Sequence, residues 1–279
     1  MPDELAFRDT GRPSEPDAAT LLFVHGYGCD QSDWVAQMAG LAPFFRCIAL
    51  DLPGHGDSAV PEDVSIPAMA DAVNRMRARL ELDRVVLVGH SMGAKVVREV
   101  HARQPEGICG AILVEGSLYR GDKADLLARA AAKLETGDLG QFTRSLFADM
   151  FPEGSDPALV GRLLERAAAL DRGFARALFL ATVGWDPDRG VITLQGLNVP
   201  VLVMQSTRFD ADFIRRPIPP GETAEFVETV CNAAPDPHVA ILPDCGHFPM
   251  FDAPLAVNRR IIEFTRRCVG QPVVQVREE

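Results

Sequence analysis

Residues 84–93 read Arg84-Val85-Val86-Leu87-Val88-Gly89-His90-Ser91-Met92-Gly93. A run of aliphatic, mostly β-branched residues predicts a buried strand over 84–88. A helix is predicted over 93–103. Between them, two glycines flank a serine at two positions before and two after. A turn this tight has no room for side chains at its flanks, so Gly89 and Gly93 fit sterically. In this strand–turn–helix setting the Gly-x-Ser-x-Gly pattern presents its serine at the C-terminal edge of a sheet. The N-terminus of the following helix favours negative charge developing beside Ser91.

The same alternation extends outward. Short apolar runs at 21–24, 47–50, 85–88, 111–114, 199–204 and 239–242 read as strands, most of them continuous rather than alternating. Helical patterns lie between them at 32–41, 66–82, 93–103, 223–232 and 255–268. Residues 5–9 read as an edge strand. The expected fold class is α/β, with a mostly parallel, doubly wound sheet. One stretch breaks the pattern. From 118 to 190 no strand is evident, and helices are expected over 123–136, 139–150, 157–170 and 173–182. The expected organisation is a core of residues 1–117 and 191–279 with a helical cap of 118–190. Residues 208–221, with Pro217, Pro219, Pro220 and Gly221, read as a long loop, and 273–279 as a frayed tail.

Composition narrows the function classes. Against 28 Lys+Arg stand 39 Asp+Glu, a net charge of −11 over 279 residues. Such a surface repels phosphate, which argues against nucleic acid and anionic membranes as partners. No apolar run approaches the roughly 20 residues of a membrane helix. The opening Met1-Pro2-Asp3-Glu4 lacks the basic-then-apolar pattern of a signal peptide. Six cysteines with no CxxC pair read as reduced thiols, and the expectation is a cytoplasmic protein. A homodimer is compatible with these features.

Four motifs then occur in order. His25-Gly26-Tyr27-Gly28 follows the first buried strand. Asp51-Leu52-Pro53-Gly54-His55-Gly56-Asp57-Ser58 follows the next. The serine turn is third, and Cys245-Gly246-His247-Phe248-Pro249 follows the last strand. Together they resemble the α/β-hydrolase superfamily nearly end to end. The resemblance implies a cap between the sixth and seventh strands, and an oxyanion hole made by the backbone N–H groups of Tyr27 and Met92. A serine hydroxyl needs a base to take its proton, and His247 is the candidate. His25 and His55 read as structural residues of their turns, His90 as pointing away from the serine, and His101 and His238 as packing or surface residues. No ligand spacing suggests a metal, and no cofactor is expected.

The acid has two placements in this superfamily. After the seventh strand, Gly is absent, Phe209 stands where the acid is expected, and Asp210 is one position late, with Asp212 beyond it. Some members, among them haloalkane dehalogenases and zearalenone-lactonase-like enzymes, place it after the sixth strand. Here that strand runs into Glu115-Gly116, 24 positions after Ser91. A carboxylate at a buried strand tip needs a partner, and an imidazolium supplies one. Glu115 is the favoured acid, with Asp210 the alternative. Phe142, Phe147, Met150, Phe151, Phe179 and Trp185 of the cap are candidate pocket residues. Arg208, Arg215 and Arg216 read as solvated, the alternative being contact with a substrate carboxylate. The expected function is cofactor-free hydrolysis of a small, largely apolar ester or lactone. A C–C bond hydrolase, acyltransferase, perhydrolase or non-catalytic ligand sensor on the same scaffold are the alternatives.

Overall fold

The computed structural model describes residues 4–13, 18–135, 139–210 and 214–272. The strands, in chain order, are β1 (Phe7–Asp9), β2 (Thr20–Val24), β3 (Arg46–Leu50), β4 (Val85–His90), β5 (Ile108–Val114), β6 (Val201–Gln205), β7 (Thr207–Phe209), β8 (Arg215–Pro217) and β9 (Pro237–Ile241). The helices are α1 (Val35–Leu41), α2 (Ile66–Arg79), α3 (Met92–Arg103), α4 (Lys123–Glu135), α5 (Leu139–Phe147), α6 (Pro157–Ala168), α7 (Arg172–Trp185), α8 (Val191–Gln195), α9 (Glu225–Ala233), α10 (Pro249–Asp252) and α11 (Pro254–Cys268).

Seven strands form one sheet in the order β1-β3-β2-β4-β5-β6-β9. All neighbours are parallel except β1, which pairs antiparallel with β3 at the edge. The fold class expected from the sequence is the one observed. Every residue of β2 and β4 is buried, as their unbroken apolar runs require when helices cover both faces. Helix α2 packs on α3, and α1 on α11.

The strand order positions the site. The chain runs from β2 outward to β3, then returns to β4 on the other side of β2. The loops after β2 and β4 therefore diverge at their C-terminal ends, and a crevice opens there. Those loops carry His25–Gly28 and Ser91. Counted along this sheet, helices α4 to α7 enter after the fifth strand, β5.

Two local expectations are corrected. Residues 208–221 are not a plain loop, because they overlap a two-stranded antiparallel ribbon of β7 and β8. Its pairing is closed by bonds between Asp210 and Ile214, 2.9 Å from N to O. Helix α7 also runs past Thr182 to Trp185. It continues through a π-helical turn at Asp186–Gly190 into α8, so the helical stretch ends with more structure than the periodicity indicated. The expected tail, 273–279, lies outside the described residues.

Candidate active site

Ser91 has φ 53° and ψ −114°, a strained backbone for a residue with a Cβ. Such strain costs on the order of 1–3 kcal/mol and persists only where the surroundings enforce it. The glycines enforce it here. A Cβ on Gly89 would overlap the carbonyl of Gly93, and one on Gly93 would overlap the carbonyl oxygens of Val24 and His25. The turn is locked to the sheet by the Ser91 N–H, which donates to Val114 O at 2.9 Å. Ser91 is partly exposed at this edge.

Register places Glu115 beside it. His90 pairs with Val114 across β4 and β5, so Ser91 and Glu115 step off adjacent strands at the same level. Glu115 also has a positive φ, 51°. Its carboxylate is wholly buried and densely bonded. Oε1 accepts from Ser206 N at 2.5 Å, Ser206 Oγ at 2.9 Å and Thr207 N at 3.0 Å. Oε2 accepts from Thr207 Oγ1 and from His247 Nδ1 at 3.0 Å, and Arg215 Nη1 lies 3.5 Å away. Burial pushes this acid up, but the donated hydrogen bonds and the charges of His247 and Arg215 prevail and bring it to about 2.

His247 reaches Glu115 from the loop after β9. Its own N–H donates to Met150 O at 2.7 Å, which ties the loop to the cap. A Cβ on Gly246 would collide with Met150 O and with Pro152, so only glycine lets the cap approach this closely. Burial, followed by the Arg215 charge, lowers His247 to about 4. The imidazole is therefore neutral at pH 7. With Nδ1–H given to the carboxylate, Nε2 is left to accept a proton.

The loop after β2 passes against Ser91. A Cβ on Gly26 would stand 3.2 Å from Ser91 Cβ. The N–H of Met92 belongs to the first turn of α3, where no intrahelical partner exists. His25 holds the loop: its Nδ1–H donates to Gly26 O at 2.8 Å, and Nε2 accepts from Leu52 N at 2.9 Å. His55 packs edge-on against it. His90 turns the other way, with Nε2 2.7 Å from His247 O. Burial keeps all three neutral at pH 7: His25 falls to about 4, His55 to about 3, and His90 well below the usual imidazole value.

The cap grips this loop through a residue that sequence patterning did not single out. From α6, Arg166 donates to Asp33 Oδ2 at 2.6 Å, to Asp30 Oδ1 at 2.9 Å and to Gly28 O at 3.3 Å. Tyr27 Oη donates to Ala175 O on α7 at 3.3 Å.

The pocket candidates divide into groups. Phe147 and Phe151 stack on Phe248, whose ring meets that of His247, while Met150 contributes its carbonyl. Phe179 contacts Tyr27 and Phe142. Trp185 lies elsewhere: it stacks under Arg98 and donates Nε1–H to Glu99 Oε2 at 3.1 Å, two turns down α3 from Ser91. The longer α7 carries it there. A cavity of about 220 Å³ inside the cap is lined by Thr143, Arg144, Ala167, Arg172 and Ala175 among others, and by none of the six candidates.

The alternative acid is not brought to His247. Asp210 sits at the ribbon's turn, paired with Arg216 at 3.0 Å. Asp212 lies outside the described residues. Of the three arginines expected in solvent, Arg215 is buried beside Glu115, while Arg208 and Arg216 make outer ion pairs.

A sheet that presents a strained serine beside a buried Glu–His pair under a helical cap defines a class of hydrolytic folds. The model of the alpha/beta hydrolase family matches residues 21–260. The chain belongs to that family. It is 27% identical over 256 residues to the dihydrolipoyllysine-residue acetyltransferase component of the acetoin cleaving system of Pseudomonas putida. That match covers 88% of this chain and 63% of the relative. The chain thus spans less than two thirds of that relative's length. Among solved structures it is similar to an esterase from Thermogutta terrifontis, with a TM-score of 0.77, 27% identity and coverage of 95% of this chain and 93% of the other. It also shares its fold with an enol-lactonase from Burkholderia xenovorans LB400, with a TM-score of 0.75, 19% identity and coverage of 93% and 95%. Among the described residues, no helix is long and apolar enough to cross a membrane.

Proposed function

We propose that this chain hydrolyses carboxylic esters or lactones of small, largely apolar substrates through an acyl-enzyme on Ser91. The observation that carries this reading is the buried Glu115–His247 pair, bonded at 3.0 Å, on the sheet edge where Ser91 is held in its strained turn. In the proposed path, Ser91 Oγ attacks the carbonyl carbon while His247 Nε2 takes its proton. Glu115 orients the imidazole and stabilises the imidazolium. The Tyr27 and Met92 N–H groups bind the developing oxyanion. His247 then protonates the leaving oxygen. In the second half it takes a proton from water, which attacks the acyl group, and returns that proton to Ser91 Oγ as the ester bond to the acid product breaks.

The aromatic rings packed beside His247 and Tyr27 support a largely apolar substrate. The test is release of p-nitrophenol from acetate and butyrate esters, together with labelling by a serine-directed fluorophosphonate. Wild-type protein is expected to do both, and Ser91→Ala neither. Release that persists in Ser91→Ala, or wild-type protein that neither hydrolyses nor labels, overturns the reading. A panel of esters, lactones and vinylogous diketones, with products identified by mass, separates C–O from C–C cleavage.

A further inference from the structure

The ribbon of β7 and β8 brings a cation into the site. Arg215 is buried, and its Nη1 donates to Thr207 Oγ1 at 3.0 Å and lies 3.5 Å from Glu115 Oε2. That same oxygen receives His247 Nδ1. Residue and side chain are both held in place. The Arg215 backbone N–H donates to Asp149 Oδ2 at 2.6 Å, and the ribbon pairing fixes its strand. The guanidinium carbon lies 4.5 Å from the centroid of the Phe209 ring.

We propose that Arg215 is a positioning residue that sets the proton balance of the Glu115–His247 pair, making His247 a weaker base and a stronger acid than the pair alone would. This rests on the assignment of Ser91, Glu115 and His247 above. The argument is electrostatic. A carboxylate with one imidazole partner spends its full charge on the imidazolium. Here the charge is shared with a permanent cation on the same oxygen, at a site with little water to screen it. Among the described residues, the other charged or titratable groups around His247 and Glu115 are Asp149 from the cap, His90 from β4, Cys245, and Asp252, which accepts from Gly246 N at 2.8 Å. Tyr119 faces Arg215. Asp149 opposes the guanidinium's effect, and Arg215 is the permanent cation of the set.

The chemical consequence concerns the leaving group. A more acidic imidazolium donates its proton more readily to a basic leaving oxygen. Arg215 therefore favours alkyl esters and lactones, whose alkoxides need that proton, over aryl esters, whose phenolates leave without it.

The test follows His247 directly by its imidazole NMR signals between pH 2.5 and 8, in full-length protein. In Arg215→Gln the titration is expected to move up by about one unit, and in Arg215→Lys to stay near wild type. The acidic limb of kcat/KM for p-nitrophenyl butyrate should move with it, and the ratio of alkyl-ester to aryl-ester turnover should fall. An unmoved titration in Arg215→Gln, or equal movement in both variants, overturns the proposal. Should Arg215→Gln not fold, Arg215→Met removes the same charge while keeping an unbranched apolar stem, and must raise the titration for the proposal to stand. The NMR readout does not depend on activity, so a failed hydrolase assignment would show separately.

Discussion

At the residue scale, the decisive contrast is between two carboxylates. Glu115 is enclosed by donors from Ser206, Thr207 and His247, whereas Asp210 pairs with Arg216 at the ribbon's turn. On the proposed mechanism Glu115→Gln removes the charge that would stabilise the imidazolium, and is expected to lower kcat by about 10³–10⁴. Asp210→Asn should remain within a few-fold of wild type. Steady-state rates on one ester check both, and the reverse ranking would reassign the acid. The sequence made Ser91 and His247 legible because each lies in a local motif with glycines around it. Glu115 was legible as a polar residue ending a buried run. Arg215 was not, because its partner is 100 positions away in sequence and its neighbours Arg216 and Pro217 are those of a solvated segment.

At the element scale, the cap positions the site as well as covering it. Arg166 on α6 reaches Gly28 O and the carboxylates of Asp30 and Asp33. Asp33 is only 3% exposed, so losing its partner leaves a buried charge. Arg166→Met is expected to cost roughly 3 kcal/mol of stability, seen as a lower Tm. The freed loop carries Tyr27, the proposed oxyanion donor, so kcat should fall about tenfold with little change in KM, because such a donor acts mainly in the transition state. A fall in Tm with unchanged kcat would reduce Arg166 to a structural contact. The elements that sequence reasoning missed have separate causes. β7 and β8 have three residues each, too short for a periodicity to register. The π-helical turn at Asp186–Gly190 carries Pro187 and Gly190, which read as a helix end rather than as a bridge between two helices. The parallel strands were legible because burial on both faces leaves an unbroken apolar run.

At the scale of the whole molecule, the buried histidines govern acid stability. His25, His55 and His247 are held near 4, 3 and 4, against 6.5 in an exposed chain. Below pH 6.5 the unfolded chain takes up protons that the native state refuses. Their contribution to stability is therefore complete above pH 6.5 and is lost as pH falls towards 4 and 3. Each costs about 1.4 kcal/mol per pH unit across that window. Glu115, lowered to about 2 from 4.5, adds a further loss between those values. The urea midpoint should hold between pH 8 and 7 and fall steeply from pH 6 to 4. A flat profile over pH 6 to 4 would mean that these imidazoles are protonated in the native state.

The strand order also has a kinetic consequence. The serine turn leaves the second parallel strand of the crevice, yet its proposed base arrives only with the last strand, and His90 meets His247 O across 157 positions of sequence. Contacts this distant close late, because the entropy of ordering the intervening chain must be met first. During refolding, recovery of turnover should lag behind recovery of helical signal. Ester hydrolysis would then serve as a clock for the final docking of the C-terminal strand, and a chain truncated before β9 would carry a serine turn that never acquires its base.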